Sequence, residues 1–222
     1  MNELKALAEI ARRPEGPTMK YALISLFIAM LMVPLHANAA SQTTIIFLHN
    51  AWYETNKDGQ NHPDHGAYDF DGIKTALAKG GKVIAPERGP NTNPNEVAAT
   101  VVQQIKELIL AGHPANTIKI IGASKGGHIA QIASATLKNP DVKWVLVGGC
   151  KASMSDKDKP PKMTGFVLSL HEATDTVAGF CARSLTLTKG AEFFREVILS
   201  TGKNHGFQFT PDDAWITPAL NW

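Results

Sequence analysis

A serine between two glycines is the strongest chemical signal in the sequence. Gly122, Ser124 and Gly126 fit the pattern G-x-S-x-G. An apolar run ends just before this segment, and a helix-like stretch starts near Lys125. A strand-to-helix turn of this kind needs small residues on both sides, so that the serine hydroxyl projects from it. We therefore interpret Ser124 as a nucleophile; the alternative is a tight turn whose glycines serve packing and whose serine caps the helix.

A serine hydroxyl becomes nucleophilic when a base removes its proton, and histidine is a suitable base. The sequence has eight histidines. His113 lies beside a glycine and a proline where a helix ends, and His128 lies one turn after Ser124 on the predicted helix. His205 lies in a loop after an apolar strand, where catalytic groups collect in open α/β sheets. We predict His205 as the base; the alternative is a surface-loop histidine.

Two carboxylates follow the predicted strand Phe166 to Leu170, and one of them can orient the imidazole. They are Glu172 and Asp175. Asp175 gives the chain order Ser124, Asp175, His205, which is the order of serine, acid and histidine in one class of serine hydrolases. We prefer Asp175 as the acid because it lies far enough along the turn to reach back over the edge of the sheet, whereas Glu172 directly follows the strand. Glu172 is the alternative acid, and otherwise we expect it to tie down the loop.

The elements that position these residues alternate between strand-like and helix-like segments from Ala40 onward. This alternation predicts an α/β fold with a mostly parallel sheet. The predicted strands are Thr43 to His49, Lys82 to Ala85, Thr117 to Gly122, Lys143 to Val147, Phe166 to Leu170 and Phe194 to Leu199. The predicted helices are Asp69 to Lys79, a helix with Asn93 as N-cap and Pro94 at its first position, Lys125 to Lys138, and one that starts at Thr210 to Asp213.

The composition is that of one ordinary globular domain. The 222 residues carry 22 Lys and Arg against 20 Asp and Glu, which gives a net charge of +2. Basic and acidic residues alternate along most of the chain and do not form a basic patch. Nucleic acid is therefore not an expected partner.

The first 39 residues predict export. Lys20 precedes an apolar run from Tyr21 to Leu35, and the small-x-small segment Ala37-Asn38-Ala39 follows. This order is typical of a secretory signal peptide, and the run is shorter than the roughly 18 to 20 residues that span a bilayer. We expect residues 1–39 to be removed and residues 40–222 to form one domain that is periplasmic or secreted, with no stable membrane span. An uncleaved membrane anchor is the alternative.

The only two cysteines, Cys150 and Cys181, would meet an oxidising compartment after export. Because Cys181 lies six residues beyond Asp175, a bridge would attach the loop of the acid to the sheet. We expect this disulfide; two separate reduced thiols are the alternative.

Three segments together resemble the α/β hydrolase superfamily, from about Thr43 to Trp222. IIFLHNAW is similar to the strand and His-Gly of that superfamily, LSLHEATD to the strand and turn of its acid, and GKNHGF to its histidine loop. The SKGG sequence at the serine is similar to that of small, cap-less, exported bacterial serine hydrolases. The resemblance implies an oxyanion hole made by the backbone N–H groups of Ala51 and Lys125.

The chain also departs from this family pattern. Asn50 stands where glycine is commoner, and Glu172 stands where a small residue is usual. The two antiparallel strands that usually begin the fold are absent, which leaves a minimal sheet of about six strands without a cap domain. With these departures, the resemblance implies a serine hydrolase that cleaves an ester or related acyl bond. A thioesterase or peptidase with the same triad, and a non-catalytic binding protein on this scaffold, are the alternatives.

The loop after the first predicted strand carries the candidates for the substrate pocket. They are Asn50, Trp52, His62, His65 and Tyr68, with core packing as the alternative for Trp52. His62, Asp64 and His65 are also possible metal ligands, but no second cluster completes such a site. The sequence has no dinucleotide fingerprint and no phosphate loop. We therefore infer neither a metal nor a cofactor.

Overall fold

The structure is a computed structural model that describes residues 42–56, 58–151, 160–183 and 188–222. The predicted signal peptide, residues 1–39, lies outside these ranges. No helix within them is long and apolar enough to cross a lipid bilayer.

Six parallel strands form the central sheet, as the sequence predicts. They are β1 Thr44–Leu48, β2 Lys82–Ile84, β3 Ile118–Ala123, β4 Lys143–Val147, β5 Phe166–Glu172 and β6 Phe193–Leu199. Their order across the sheet is β6-β5-β4-β3-β1-β2. Strands β1 and β3 are buried along their whole length, which is typical of parallel strands covered by helices on both faces. All six carboxyl ends therefore lie at one edge.

The four α-helices of the described residues cover the two faces of the sheet. They are α1 Phe70–Leu77, α2 Pro94–Leu110, α3 Lys125–Leu137 and α4 Asp213–Asn221. Asn93 caps α2 as predicted: its side chain accepts a hydrogen bond from the N–H of Asn95 at 3.0 Å, and Pro94 opens the helix. Asp212 caps α4 in the same way, because it accepts from the N–H of Ala214 at 2.9 Å. Such caps satisfy N–H groups that have no partner within the helix.

Successive side chains of a strand point to opposite faces of the sheet, so the hydrophobic core has two layers, one on each face. In β1, Ile46 and Leu48 pack with α2 and α3, whereas Ile45 and Phe47 pack with α1 and α4. The first layer contains Trp144, and the second contains Trp215, Phe70 and Phe207. The described residues contain no cap domain over the carboxyl edge, which agrees with the predicted cap-less fold.

Strand β5 is longer than predicted, because it continues through His171 and Glu172. Both residues pair with β6, in register with Ile198 and Leu199. The prediction ended the strand at Leu170 because a histidine and a glutamate follow that residue. Glu172 is therefore the last residue of a strand and is fully buried, and the turn to Asp175 starts after it.

Candidate active site

Ser124 lies in a sharp turn between β3 and α3. Its φ of 49° and ψ of −115° are strained for a residue other than glycine. A Cβ atom at Gly122 would collide with the backbone of Gly126, and one at Gly126 would collide with the carbonyl of Leu48. The two glycines of the sequence pattern are therefore required by close backbone approach. The turn holds the serine hydroxyl above the edge of the sheet.

The structure brings Ser124, His205 and Asp175 into one hydrogen-bonded line. The Ser124 Oγ atom lies 2.9 Å from His205 Nε2, and His205 Nδ1 lies 2.7 Å from Asp175 Oδ2. The other carboxylate oxygen of Asp175 accepts from the N–H groups of Val177 and Ala178 at 2.8 and 2.9 Å. Burial alone would raise the pKa of Asp175, but the hydrogen bonds from His205 and from these N–H groups lower it below the ordinary 3.8. The carboxylate is thus ionised and accepts from the imidazole.

Glu172 lies near this line but does not contact the imidazole. Its carboxylate accepts from the N–H and the hydroxyl of Thr201 at 2.8 and 2.9 Å and from the N–H of Gly202 at 3.2 Å. It also accepts from the hydroxyl of Thr174 at 3.2 Å. Glu172 therefore joins the turn after β5 to the loop that carries His205.

The loop after β1 is held by a neutral histidine. Burial and the nearby Arg88 lower the pKa of His49 to about 4. His49 Nδ1 lies 2.8 Å from the carbonyl oxygen of Asn50, and His49 Nε2 lies 2.9 Å from the backbone nitrogen of Arg88. Because the Arg88 N–H can only donate, Nε2 accepts and Nδ1 carries the proton. The imidazole thus fixes the direction of the Asn50 carbonyl.

The same loop contacts a buried ionic network that the sequence pattern did not predict. Glu54 Oε1 lies 3.1 Å from Arg88 Nε, and Glu54 Oε2 lies 2.6 Å from Lys125 Nζ. The side chains of Arg88 and Glu54 are only 3% and 5% exposed. The guanidinium also donates to the carbonyl of His49. The network therefore connects the loop after β1 to the residue that follows the candidate nucleophile.

A cleft of about 510 Å³ opens beside Ser124 and His205. Four of the predicted pocket residues line it: Asn50, Trp52, His62 and His65. Gln208 and Phe209, which were not among the predicted pocket residues, line it as well. Gln208 Nε2 lies 3.0 Å from His205 Nε2, and its place in a short 3₁₀ helix three residues after the histidine gave no recognisable signal.

Tyr68 is the predicted pocket residue that does not line this cleft. Its side chain is fully buried in the core between α1 and the loop after β6. Its ring centroid lies 5.3 Å from that of Phe209 and 5.5 Å from that of Tyr53. The prediction was wrong because this large aromatic ring packs in the core, where its whole surface is removed from water.

Flat side chains form one wall of the cleft. The rings of His62 and His65 stack with centroids 4.3 Å apart, and Trp52 contacts His62 edge-on at 4.5 Å. Burial, together with the neighbouring His62 and His205, lowers the pKa of His65. Within the described ranges, no three His, Cys, Asp or Glu side chains are grouped so that they could hold a metal ion. The stacked rings of His62 and His65 form part of the wall of the cleft.

Cys150 and Cys181 form the predicted disulfide. Two short antiparallel strands join the same two parts of the chain, with Cys150 opposite Gly179 and Lys151 opposite Ala178. The acid loop, which starts at Asp175, is thus attached covalently and by backbone hydrogen bonds to the segment after β4.

The fold is shared with solved α/β hydrolases, although no family model and no curated protein matches the chain. RedJ, a thioesterase of the prodiginine pathway of Streptomyces coelicolor, is 15% identical, with 90% of this chain and 94% of that chain covered and a TM-score of 0.53. A lipase-esterase related protein from Clostridium acetobutylicum is also 15% identical, with 81% and 93% covered and a TM-score of 0.52. Est1E from Butyrivibrio proteoclasticus, solved with ferulic acid bound, is 10% identical, with 83% and 89% covered and a TM-score of 0.53. The chain has the α/β-hydrolase fold.

Proposed function

We propose that the protein is a serine hydrolase that cleaves an ester or related acyl bond of a small molecule. One observation carries the proposal: the line from Ser124 Oγ through His205 to Asp175, with distances of 2.9 and 2.7 Å, lies beside an open cleft. In this arrangement the imidazole can take the proton of the serine, and the carboxylate can stabilise the imidazolium that forms. The α/β-hydrolase fold of the chain supports this proposal.

In the first half-reaction, His205 Nε2 takes the hydroxyl proton while Ser124 Oγ bonds to the carbonyl carbon of the substrate. The carbonyl oxygen gains the negative charge of a tetrahedral intermediate. When the intermediate collapses, the bond to the leaving oxygen breaks and His205 returns the proton to that oxygen. An acyl group then remains on Ser124. Water repeats the same sequence, which releases the acid and restores the serine.

Two backbone donors support the developing oxyanion. The Asn50 carbonyl accepts from His49 Nδ1, and in a trans peptide the next N–H points the opposite way. The N–H of Ala51 is therefore turned away from His49, and Ala51 lines the cleft together with Ser124. Lys125 opens α3, so its N–H has no partner within the helix. These orientations support the proposal that both N–H groups form the oxyanion hole.

Labelling by a fluorophosphonate tests the nucleophile directly. We expect one modified residue, Ser124, in peptide mass analysis of the labelled protein. Ser124→Ala should remove both labelling and turnover of p-nitrophenyl esters, whereas Ser200→Ala, at an exposed serine, should change neither. A panel of esters, thioesters and amides then separates an esterase from a thioesterase or a peptidase. Labelling that persists in Ser124→Ala would reject the assignment.

We also propose that the mature protein is exported and starts at Ala40. The disulfide between Cys150 and Cys181 supports this proposal, because disulfides persist in oxidising compartments. Intact-mass analysis of protein from a bacterial host should find a chain without residues 1–39 outside the cytoplasm. A full-length chain in the cytoplasm would contradict export.

A further inference from the structure

Asn50 carries an unusual pair of side-chain atoms. The residue is 2% exposed, and its Oδ1 atom accepts a hydrogen bond from the backbone N–H of Tyr53 at 3.1 Å. Because an N–H can pair only with the oxygen of a carboxamide, this contact fixes which end is Nδ2. Nδ2 is buried, and no acceptor for it occurs among the described residues. Asn50 therefore presents a fixed, unpaired N–H₂ donor.

The position of Asn50 in the cleft indicates what its unpaired donor binds. Asn50 lines the cleft together with Ser124 and Ala51. A buried donor without an acceptor costs free energy, so such groups occur where a ligand or another group supplies the acceptor. In the proposed reaction, the oxygen that gains negative charge lies beside Ser124. A carboxamide donor held in place before the reaction stabilises such an oxygen without reorganising.

We propose that Asn50 Nδ2 is a third donor of the oxyanion hole, beside the N–H groups of Ala51 and Lys125. The ligand that it takes is the carbonyl oxygen of an acyl substrate as it becomes an oxyanion. This inference rests on the proposed function of Ser124. It also gives a chemical reason for an asparagine where the superfamily more often has glycine, because glycine supplies no side-chain donor.

The role predicts a specific kinetic signature. A donor that acts on the oxyanion strengthens binding of the transition state more than binding of the substrate. Removing it should therefore lower kcat on the order of 10²- to 10³-fold and leave KM nearly unchanged. Affinity for a boronic acid, which forms a tetrahedral adduct on serine, should fall in parallel with kcat/KM.

Two variants of Asn50 separate the donor from the loop contact. Asn50→Asp keeps an oxygen for the N–H of Tyr53 but removes the Nδ2 donor, whereas Asn50→Ala removes both. Asn56→Ala is the matched control. The carboxamide of Asn56 donates a hydrogen bond to the carbonyl of Trp52 in the same loop, but Asn56 does not line the cleft. Each variant is assayed for fluorophosphonate labelling rate, for kcat and KM on one ester, and for thermal unfolding.

We expect slow labelling and low kcat in both Asn50 variants, with normal values in Asn56→Ala. Wild-type rates in both Asn50 variants, with Ser124 still labelled, would overturn the inference and leave the proposed function intact. A loss in Asn50→Ala alone would assign the effect to the Tyr53 contact and overturn the donor role. Failure of the fluorophosphonate to label Ser124 in the unaltered protein would reject the proposed function itself.

Discussion

Two loop regions that flank Ser124 are held in place by different physical means. The acid–histidine region, which consists of the loops after β5 and β6, contains Asp175 and His205 and is held by N–H donors and a disulfide. The oxyanion region, which consists of the loop after β1 and the segment around Arg88, is held by the buried charges of Arg88 and Glu54. The buried carboxylates of the acid–histidine region are surrounded mostly by N–H and hydroxyl donors, whereas that of Glu54 is paired with the charges of Arg88 and Lys125, and buried charges of this kind are stable only while they are paired. Removing a single group should therefore have different effects on turnover and on stability in the two regions.

The largest effect should come from the acid of the acid–histidine region. Asp175→Asn keeps the shape of the side chain but no longer stabilises the imidazolium, and in a related triad this change costs about 10⁴ in turnover. Glu172→Gln keeps one accepting oxygen and replaces the other by an NH₂ group, which cannot accept from the N–H of Thr201 or Gly202. Because Glu172 does not contact the imidazole, we expect the variant to lower turnover on the order of tenfold or less, equivalent to about 1.4 kcal/mol. Steady-state kinetics at neutral pH on one ester would measure both. The reverse ranking would make Glu172 the acid.

The sequence predicted the acid–histidine region because its signals are local. Asp175 and His205 each follow an apolar strand within a few residues, so the strand pattern alone brings them to one edge. Ser124 is marked by two glycines that the backbone contacts require. The chain order of serine, acid and histidine fits both Glu172 and Asp175, and the position of Asp175 farther along the turn is what favours it.

The oxyanion region gave no such signal. Glu54 is separated by 34 residues from Arg88 and by 71 from Lys125, and each looks like an ordinary surface charge in the sequence. Only the folded chain removes Glu54 and Arg88 from water and pairs them. The same limit explains Tyr68: its segment was predicted near the pocket, but whether an aromatic ring faces the cleft or the core depends on packing against α1.

The next largest effect should be on stability, in the oxyanion region. Glu54→Gln leaves the buried Arg88 without a counter-charge, and breaking a buried pair in this way costs about 3 to 5 kcal/mol. Asp71→Asn is the control, because Asp71 is 74% exposed in its pair with Lys74 and such pairs contribute about 0 to 1 kcal/mol. Urea unfolding of the two variants would measure the difference. Equal losses would show that Glu54 does not hold the region by charge.

Removing the disulfide should have a slightly smaller effect, confined to the acid–histidine region. Cys150 and Cys181 are 31 residues apart, and closing a loop of that length stabilises by about 3 to 4 kcal/mol in the chain-entropy model. The double variant Cys150→Ala/Cys181→Ala should unfold at lower urea but keep the Glu54 network. Hydrogen exchange should rise first in residues 175–181. Faster exchange around Arg88 instead would show that the two regions do not unfold separately.

The smallest expected effect is on the pH dependence of stability, and it comes from Glu172 in the acid–histidine region. Burial would raise the pKa of Glu172, but the donors on Thr201, Gly202 and Thr174 lower it on balance below the ordinary 4.5. A carboxyl whose pKa is depressed by folding adds stability above its unfolded pKa. That stability is lost as the pH falls from 4.5 through the folded value.

Glu172→Gln should therefore flatten the loss of stability below pH 4.5, by at most about 1.4 kcal/mol per pH unit, because one proton is no longer taken up on unfolding. At neutral pH the variant should be less stable than the unaltered protein, and the two should converge as the pH falls. Thermal unfolding measured from pH 7 downward gives both curves, with Asp71→Asn again as the control. Parallel curves would mean that the hydrogen bonds from Thr201 and Gly202 contribute equally to both charge states. The acid–histidine region would then owe its acid sensitivity to Asp175, whose pKa is also lowered by folding.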